Sequence, residues 1–203
     1  TEPRNDEYKI PAFIKVSGGY GGHSGLDIAL SVKNLKKNQG RANAFWWTNN
    51  ILATLLKKKI DFKLGLIVQG KVIVDGNNIS TDSNKMNAIP NHGEAIIFLK
   101  DEKSLKKTNE KEILENHDKI KNIIEEDKIK LITLINNLPQ GIFEMSDTAE
   151  VAKTSSIVVI NFSFDKTQDF IDYNVIATPR AATHQKIDEL EKIFKAAYIH
   201  ANL

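Results

Sequence analysis

The chain contains no cysteine. This absence excludes a disulfide framework, a thiolate metal site and a cysteine nucleophile, and it fits the reducing cytosol. No apolar run approaches the roughly 20 residues that a membrane-spanning helix needs, and the sequence does not open with a secretory signal. We therefore expect a cytoplasmic protein without a membrane partner.

The chain also lacks a large excess of positive or negative charge, since its 28 Lys and Arg are nearly balanced by 26 Asp and Glu. The formal net charge of +2 provides little attraction for nucleic acid, and we expect no nucleic-acid partner. With 41% hydrophobic residues, the 203-residue chain can bury a sizeable core. We predict one domain over residues 1–203, with 1–138 and 139–203 as candidate sub-halves.

Hydrophobic periodicity predicts an element order typical of α+β proteins. Strands are expected at residues 10–16, 62–68, 71–74, 94–99, 157–164 and 170–178. Helices are expected at residues 41–59, 109–138 and 183–198, and Pro139 ends the second of them. The apolar stripe of that second helix comprises Ile113, His117, Ile120, Ile124, Leu131, Ile135 and Leu138. Because single strands and helices do not alternate regularly, we predict antiparallel sheets with helices packed on one face.

A glycine-rich segment with one histidine follows the first predicted strand: Gly18 to Gly25 reads Gly-Gly-Tyr-Gly-Gly-His-Ser-Gly. Glycine lets the backbone approach a bound group closely, and His23 at this point can offer an N–H to a developing negative charge. A flexible turn with an incidental surface histidine fits the segment alone equally well. The segment lacks the Gly-Lys-Ser/Thr ending of a phosphate-binding loop, which argues against a nucleotide site.

The sequence offers no complete metal centre or catalytic triad. Its histidines are scattered over different predicted elements, and the pair His92 and Glu94 marks the start of a strand. Ser24 is next to His23, but no third member of a triad is placed by spacing. A lone donor is typical of a domain that completes the active site of another domain, so we predict no metal ligands and no cofactor in this chain.

Several short motifs, in order along the chain, resemble the lid domains of the peptidase D dipeptidases. These enzymes, the aminoacyl-histidine and cytosol non-specific dipeptidases, belong to the zinc aminopeptidase, carboxypeptidase G and aminoacylase family. The resemblance runs from about Lys9 to about Ala197. The motifs are Lys15 to Ile28, Gly40 to Ala44, Asn87 to Pro90, Met145 to Asp147, Lys153 to Ser156 and Ile176 to Arg180.

The resemblance implies a ferredoxin-like βαββαβ lid in a double-sized version, with two zinc ions held by a catalytic domain that this chain does not contain. It implies that His23 binds the oxyanion of the tetrahedral intermediate and that Arg180 binds the terminal carboxylate of a dipeptide substrate. The other residues that it places near the substrate are Asn87, Thr154, Ser155 and Ser156, although the family usually has Asn at the position of Ser156. The implied partners are the catalytic domain of the same protein and a second copy of the chain.

Two other interpretations fit the residues. The chain could be a binding module without an enzymatic role, although it lacks the aromatic segments of RNA-binding sheets. It could also be a structural domain that dimerises through the exposed edges of antiparallel strands, which is compatible with a lid.

Overall fold

The computed structural model describes residues 7–17, 21–23, 43–75, 78–83, 85–101, 120–147, 152–165 and 170–202. The strands are β1 (Ile10–Ser17), β2 (Gly22–His23), β3 (Lys63–Gln69), β4 (Val72–Asp75), β5 (Asn78–Thr81), β6 (Ala88–Ile89), β7 (His92–Leu99), β8 (Gly141–Met145), β9 (Ala152–Asp165) and β10 (Phe170–Ala181). The helices of these ranges are α1 (Ala44–Lys57), α2 (Glu125–Asn137) and α3 (His184–His200).

The described strands pair only in antiparallel fashion. One sheet has the order β1-β7-β3 and a second has the order β10-β9-β8, while β2 pairs with β6 and β4 pairs with β5. Antiparallel sheets combined with helices define an α+β protein. The predicted fold class is therefore confirmed.

The central strand of the first sheet, β7, is apolar on both faces over Ala95 to Leu99 because both faces are covered. In β7, Ile97 packs in the main core with α1, and Ile96 packs in a second apolar cluster on the other face. Gly93 permits the close approach of α1, since a Cβ there would lie 2.7 Å from Phe45 Cα. Burial on both faces explains the near-continuous apolar sequence of this antiparallel strand.

Side-chain caps fix the start of two of these helices. Asn43 Oδ1 accepts the Trp46 N–H at 3.0 Å at the start of α1, and Thr183 Oγ1 accepts the Lys186 N–H at 3.3 Å at the start of α3. Such caps satisfy donors that have no partner within the helix. The helices predicted at 41–59 and 183–198 are confirmed over Ala44–Lys57 and His184–His200.

The long helix predicted at 109–138 is wrong in its extent. Helix α2 begins only at Glu125, and the segment before it is extended, with the Ile123 N–H donating to Leu64 O at 2.7 Å. This hydrogen bond continues the backbone pairing along β3. It keeps the segment extended although its apolar residues have helical spacing. Ile124 of the predicted stripe is exposed, whereas Ile120 is buried in the second cluster. Residues 102–119, with Ile113 and His117, lie outside the described ranges.

The strands predicted on either side of Gly70 exist as β3 and β4, but they do not pair with each other. Gly70 has a φ of +82°, which redirects the chain so that β4 pairs with β5 instead. The short strands β2, β5, β6 and β8 were not predicted, because two to five residues give too little periodicity to recognise.

Candidate functional site

Strands β2 and β6 bring the glycine-rich segment to the Asn-Ala-Ile-Pro motif. In their register Gly22 lies opposite Ile89 and His23 lies opposite Ala88. Asn87, which directly precedes β6, is exposed. His23 and Asn87, separated by 64 positions in sequence, are therefore neighbours along this two-stranded ribbon. Residues 18–20 and 24–42 lie outside the described part of the chain.

The start of α1 is tied to the same ribbon and to β9. The Ala44 N–H donates to Pro90 O at 2.8 Å. The buried side chain of Asn43 donates from Nδ2 to Val158 O at 2.6 Å and to Gln140 Oε1 at 2.9 Å. Gln140 Oε1 also accepts the Val158 N–H at 2.8 Å, so two side chains continue the ladder of β9 beyond the end of β8. Asn43 and Ala44, the described end of the Gly-Arg-Ala-Asn-Ala motif, thus anchor the ribbon to the second sheet.

Strand β10 contacts the segment that leads into the β2–β6 ribbon. Thr178 Oγ1 donates to Met86 O at 3.2 Å, one residue before Asn87. Arg180 lies two residues further along β10 and directly opposite Ser155 of β9. Pro179 is compatible with this strand because β10 is at the edge of its sheet, where a missing N–H is tolerated.

The two faces of β9 and β10 divide the residues predicted to bind substrate. Ile157 of β9 and Ile176 of β10 pack with Ile89 of β6, while Val158 of β9 packs in the main core. Alternate residues of a strand point to opposite faces, and directly paired residues share a face. Ser155 and Arg180 therefore lie on the face that carries the β2–β6 ribbon.

Thr154 and Ser156 lie on the opposite face of β9. Their side-chain oxygens are buried and have no hydrogen-bond partner among the described residues. Thr154, Ser155 and Ser156 are only 4%, 2% and 1% exposed, whereas Arg180 is half-buried. Of the predicted substrate-binding residues, Arg180 and Asn87 are thus the ones with solvent-accessible surface.

A groove of about 1060 Å³ adjoins the ribbon, and sequence reasoning missed it. It is formed where the base of the β4–β5 hairpin meets the segment around Asn87, so it depends on contacts between distant parts of the chain. Its lining comprises Gly21, Gly22, Gly70, Lys71, Asp82, Ser83, Lys85, Asn87, Ala88, Ile89, Pro90, Asn91 and His92.

A buried carboxylate holds the histidine of this groove. His92 Nε2 is 2.7 Å from Glu94 Oε1, and Glu94 Oε2 accepts the Val72 N–H at 2.7 Å. As predicted, His92 marks the start of a strand, β7. The pattern His-x-Glu was the signal available in the sequence, because residues two apart on a strand share a face.

The structure of this chain is similar to a part of a solved enzyme. Aminoacylhistidine dipeptidase from Vibrio alginolyticus matches with a TM-score of 0.66 and 18% sequence identity, over 99% of this chain and 39% of the dipeptidase chain. At this identity the likeness shows the fold alone, and the chain spans well under half the length of the dipeptidase. No family profile and no curated protein sequence matches the chain.

Within the described ranges, no group of three or more His, Asp or Glu side chains could hold a metal ion. His92 and Glu94 alone provide too few ligands for a structural or catalytic zinc site, which needs three or four. No helix in the described part of the chain is long and apolar enough to cross a membrane.

Proposed function

We propose that this chain is the lid domain of a zinc-dependent dipeptidase. The observation that carries the proposal is the convergence of separate motifs: β6 brings His23 beside Asn87, and β10 brings Arg180 to the sheet face that carries this ribbon. The likeness of the fold to part of a dipeptidase supports the same assignment. The metal ions belong to a catalytic domain outside this chain.

His23 serves this reaction as an oxyanion donor. Attack of water on the peptide carbonyl places negative charge on the carbonyl oxygen, and an N–H of the imidazole donates to that oxygen. A donor of this kind contributes about 2–4 kcal/mol to the transition state because its partner charge exists only there. The two zinc ions, when bound by the catalytic domain, supply the activated water and polarise the carbonyl.

Arg180 positions the substrate. A guanidinium presents a planar fork of donors that matches a carboxylate in bidentate geometry. The terminal carboxylate of a dipeptide is such a group, and Arg180 lies on the strand that Thr178 joins to the segment before Asn87. Ser155 is directly opposite Arg180 and shares its face.

The partners in this proposal are the catalytic domain of the same protein, a dipeptide and a second copy of the chain, in the cytoplasm. His23 reaches the metal centre either within one chain or across a dimer. The open reading frame is the first test, because the proposal requires segments with His-x-Asp and paired Glu motifs on either side of this chain. Their absence would favour a binding module without an enzymatic role.

Kinetics of the protein that carries both domains tests the two residue roles. His23→Ala should lower kcat without changing the zinc content, because the imidazole acts on the transition state and not on the metal. Arg180→Ala should mainly raise KM, and Arg180→Lys should recover only part of the loss because it keeps the charge without the fork. Lys192→Ala, on the exposed part of α3, is the matched control and should leave both constants unchanged. An unaltered KM in Arg180→Ala removes Arg180 from the site.

A further inference from the structure

The groove beside the β2–β6 ribbon carries an excess of basic side chains. Lys71 and Lys85 line it, are exposed, and make no ion pair with the described residues. Asp82 is the acidic residue of the lining, and its Oδ1 accepts the Lys71 N–H at 2.7 Å. Two lysines against one aspartate give the described lining a formal charge of +1 with His92 neutral, so this lining favours an anion.

The neutral groups of the groove also suit an anion. The amides of Asn87 and Asn91 are donors in its lining, and the backbone of Gly21 and Gly22 forms one wall without a side chain between it and a ligand. The groove therefore combines cationic and neutral donors at the ribbon that holds His23.

His92 is held as a rigid part of the wall. Glu94 is only 4% exposed, and its Oε1 lies 2.7 Å from His92 Nε2. A carboxylate can accept hydrogen bonds but not donate them, so His92 Nε2–H is the donor. Lys15 Nζ, at 3.9 Å from Glu94 Oε1, and the Val72 N–H also compensate the buried charge. This arrangement fixes the ring as part of the groove wall.

We propose that this groove binds a side-chain carboxylate and makes the proposed dipeptidase selective for dipeptides with an acidic residue. The inference rests on the proposed function, because it adds a second carboxylate contact to the one assigned to Arg180. Lys71 and Lys85 are the specificity-determining charges, and His92 forms a fixed part of the wall. Charge-assisted hydrogen bonds to a carboxylate are about twice as strong as neutral ones, so the acid should bind about tenfold more tightly than its amide.

Binding to this chain tests the groove without any catalytic domain. Two-dimensional amide NMR titrations compare Ala-Glu with Ala-Gln and Asp-Ala with Asn-Ala, and inorganic phosphate serves as a second source of negative charge. We expect the acidic peptides to shift the amide signals of Gly22, Ala88 and His92 with about tenfold lower dissociation constants than the amide peptides. The double variant Lys71→Gln/Lys85→Gln should abolish the preference. Lys57→Gln/Lys58→Gln, with exposed lysines at the end of α1, should keep it.

Two outcomes of the titration overturn the proposal. Equal binding of Ala-Glu and Ala-Gln removes the carboxylate selectivity, and phosphate binding as tight as peptide binding shows a generic anion surface. The ratio of kcat/KM for Ala-Glu and Ala-Gln then separates this inference from the proposed function. A dipeptidase with equal kcat/KM for both contradicts the groove assignment alone. A protein without dipeptidase activity whose chain still prefers Ala-Glu contradicts the proposed function and leaves the carboxylate groove standing.

Discussion

Replacing Asn43 with alanine should lower the free energy of unfolding by more than the loss of any single surface interaction would. Asn43 Oδ1 caps α1 by accepting the Trp46 N–H, and Asn43 Nδ2 donates to Val158 O and to Gln140 Oε1. The side chain is only 4% exposed, so water does not readily replace the lost donor. One residue thus joins the first helix, the loop after α2 and the central strand of the second sheet.

The expected loss is the sum of two effects. Loss of the N-cap costs about 1 kcal/mol, and leaving the buried Val158 O without its donor costs about 2 kcal/mol. A total of about 3 kcal/mol lowers the melting temperature of a 203-residue protein by about 6–12 °C, at about 2–4 °C per kcal/mol.

Thermal and urea unfolding followed by circular dichroism measure this loss. Asn43→Ser keeps a cap oxygen but not the donor to Val158 O, so it should recover about 1 kcal/mol of the loss. Asn50→Ala, at a half-buried position of the same helix, is the matched control and should change stability by less than about 0.5 kcal/mol. Asn43→Ala with the stability of the parent would refute the role of this residue as a link between α1 and the second sheet.

Two further changes test the packing and the electrostatics. Gly93→Ala would place a Cβ 2.7 Å from Phe45 Cα and 2.9 Å from Ala44 O. Because these backbone atoms cannot yield, we expect the free energy of unfolding in urea to fall by about 1–3 kcal/mol. A variant as stable as the parent would contradict the close approach of α1 to β7. Tyr8 Oη donates to Asp61 at 2.7 Å, and this hydrogen bond, together with Lys100, lowers the pKa of Asp61. Because this pKa is lower in the folded chain, the ionised Asp61 stabilises the fold at pH values above the ordinary Asp pKa of about 3.9. This stabilisation is lost as the pH falls through the pKa of the folded chain. Asp61→Asn should therefore lower the melting temperature at pH 7 and much less near pH 2, and an equal effect at both would contradict the pairing.

Local patterns predict much of the fold but little of its connections. Helix α3 and strands β9 and β10 follow from apolar periodicity, and the absence of regular alternation between strands and helices indicates the α+β class. Periodicity fails at Ile123, where a hydrogen bond to Leu64 O keeps the chain extended before α2. The ladder contacts of Asn43 join positions 115 residues apart, so no local pattern reveals them.

The candidate site, like the fold, could be predicted only in part from the sequence. The ordered motifs predicted that His23, Asn87 and Arg180 belong to one site, and the roles of these residues stay predictions. The two faces of β9, which separate Ser155 from Thr154 and Ser156, follow from strand register and could not be assigned before the pairing was known. The basic groove was missed because Lys71 and Lys85 come from separate turns that only the folded chain brings together.

The turnover of His23→Ala at matched zinc content tests the central claim most directly. The measurement is kcat at saturating dipeptide for the protein that carries both domains, with zinc per chain determined on the same samples. We expect a fall in kcat of about 10²-fold or more with unchanged zinc, because removal of one oxyanion donor has an effect of this size. An unchanged kcat would contradict the assignment of this chain as a lid that supplies a donor to the reaction.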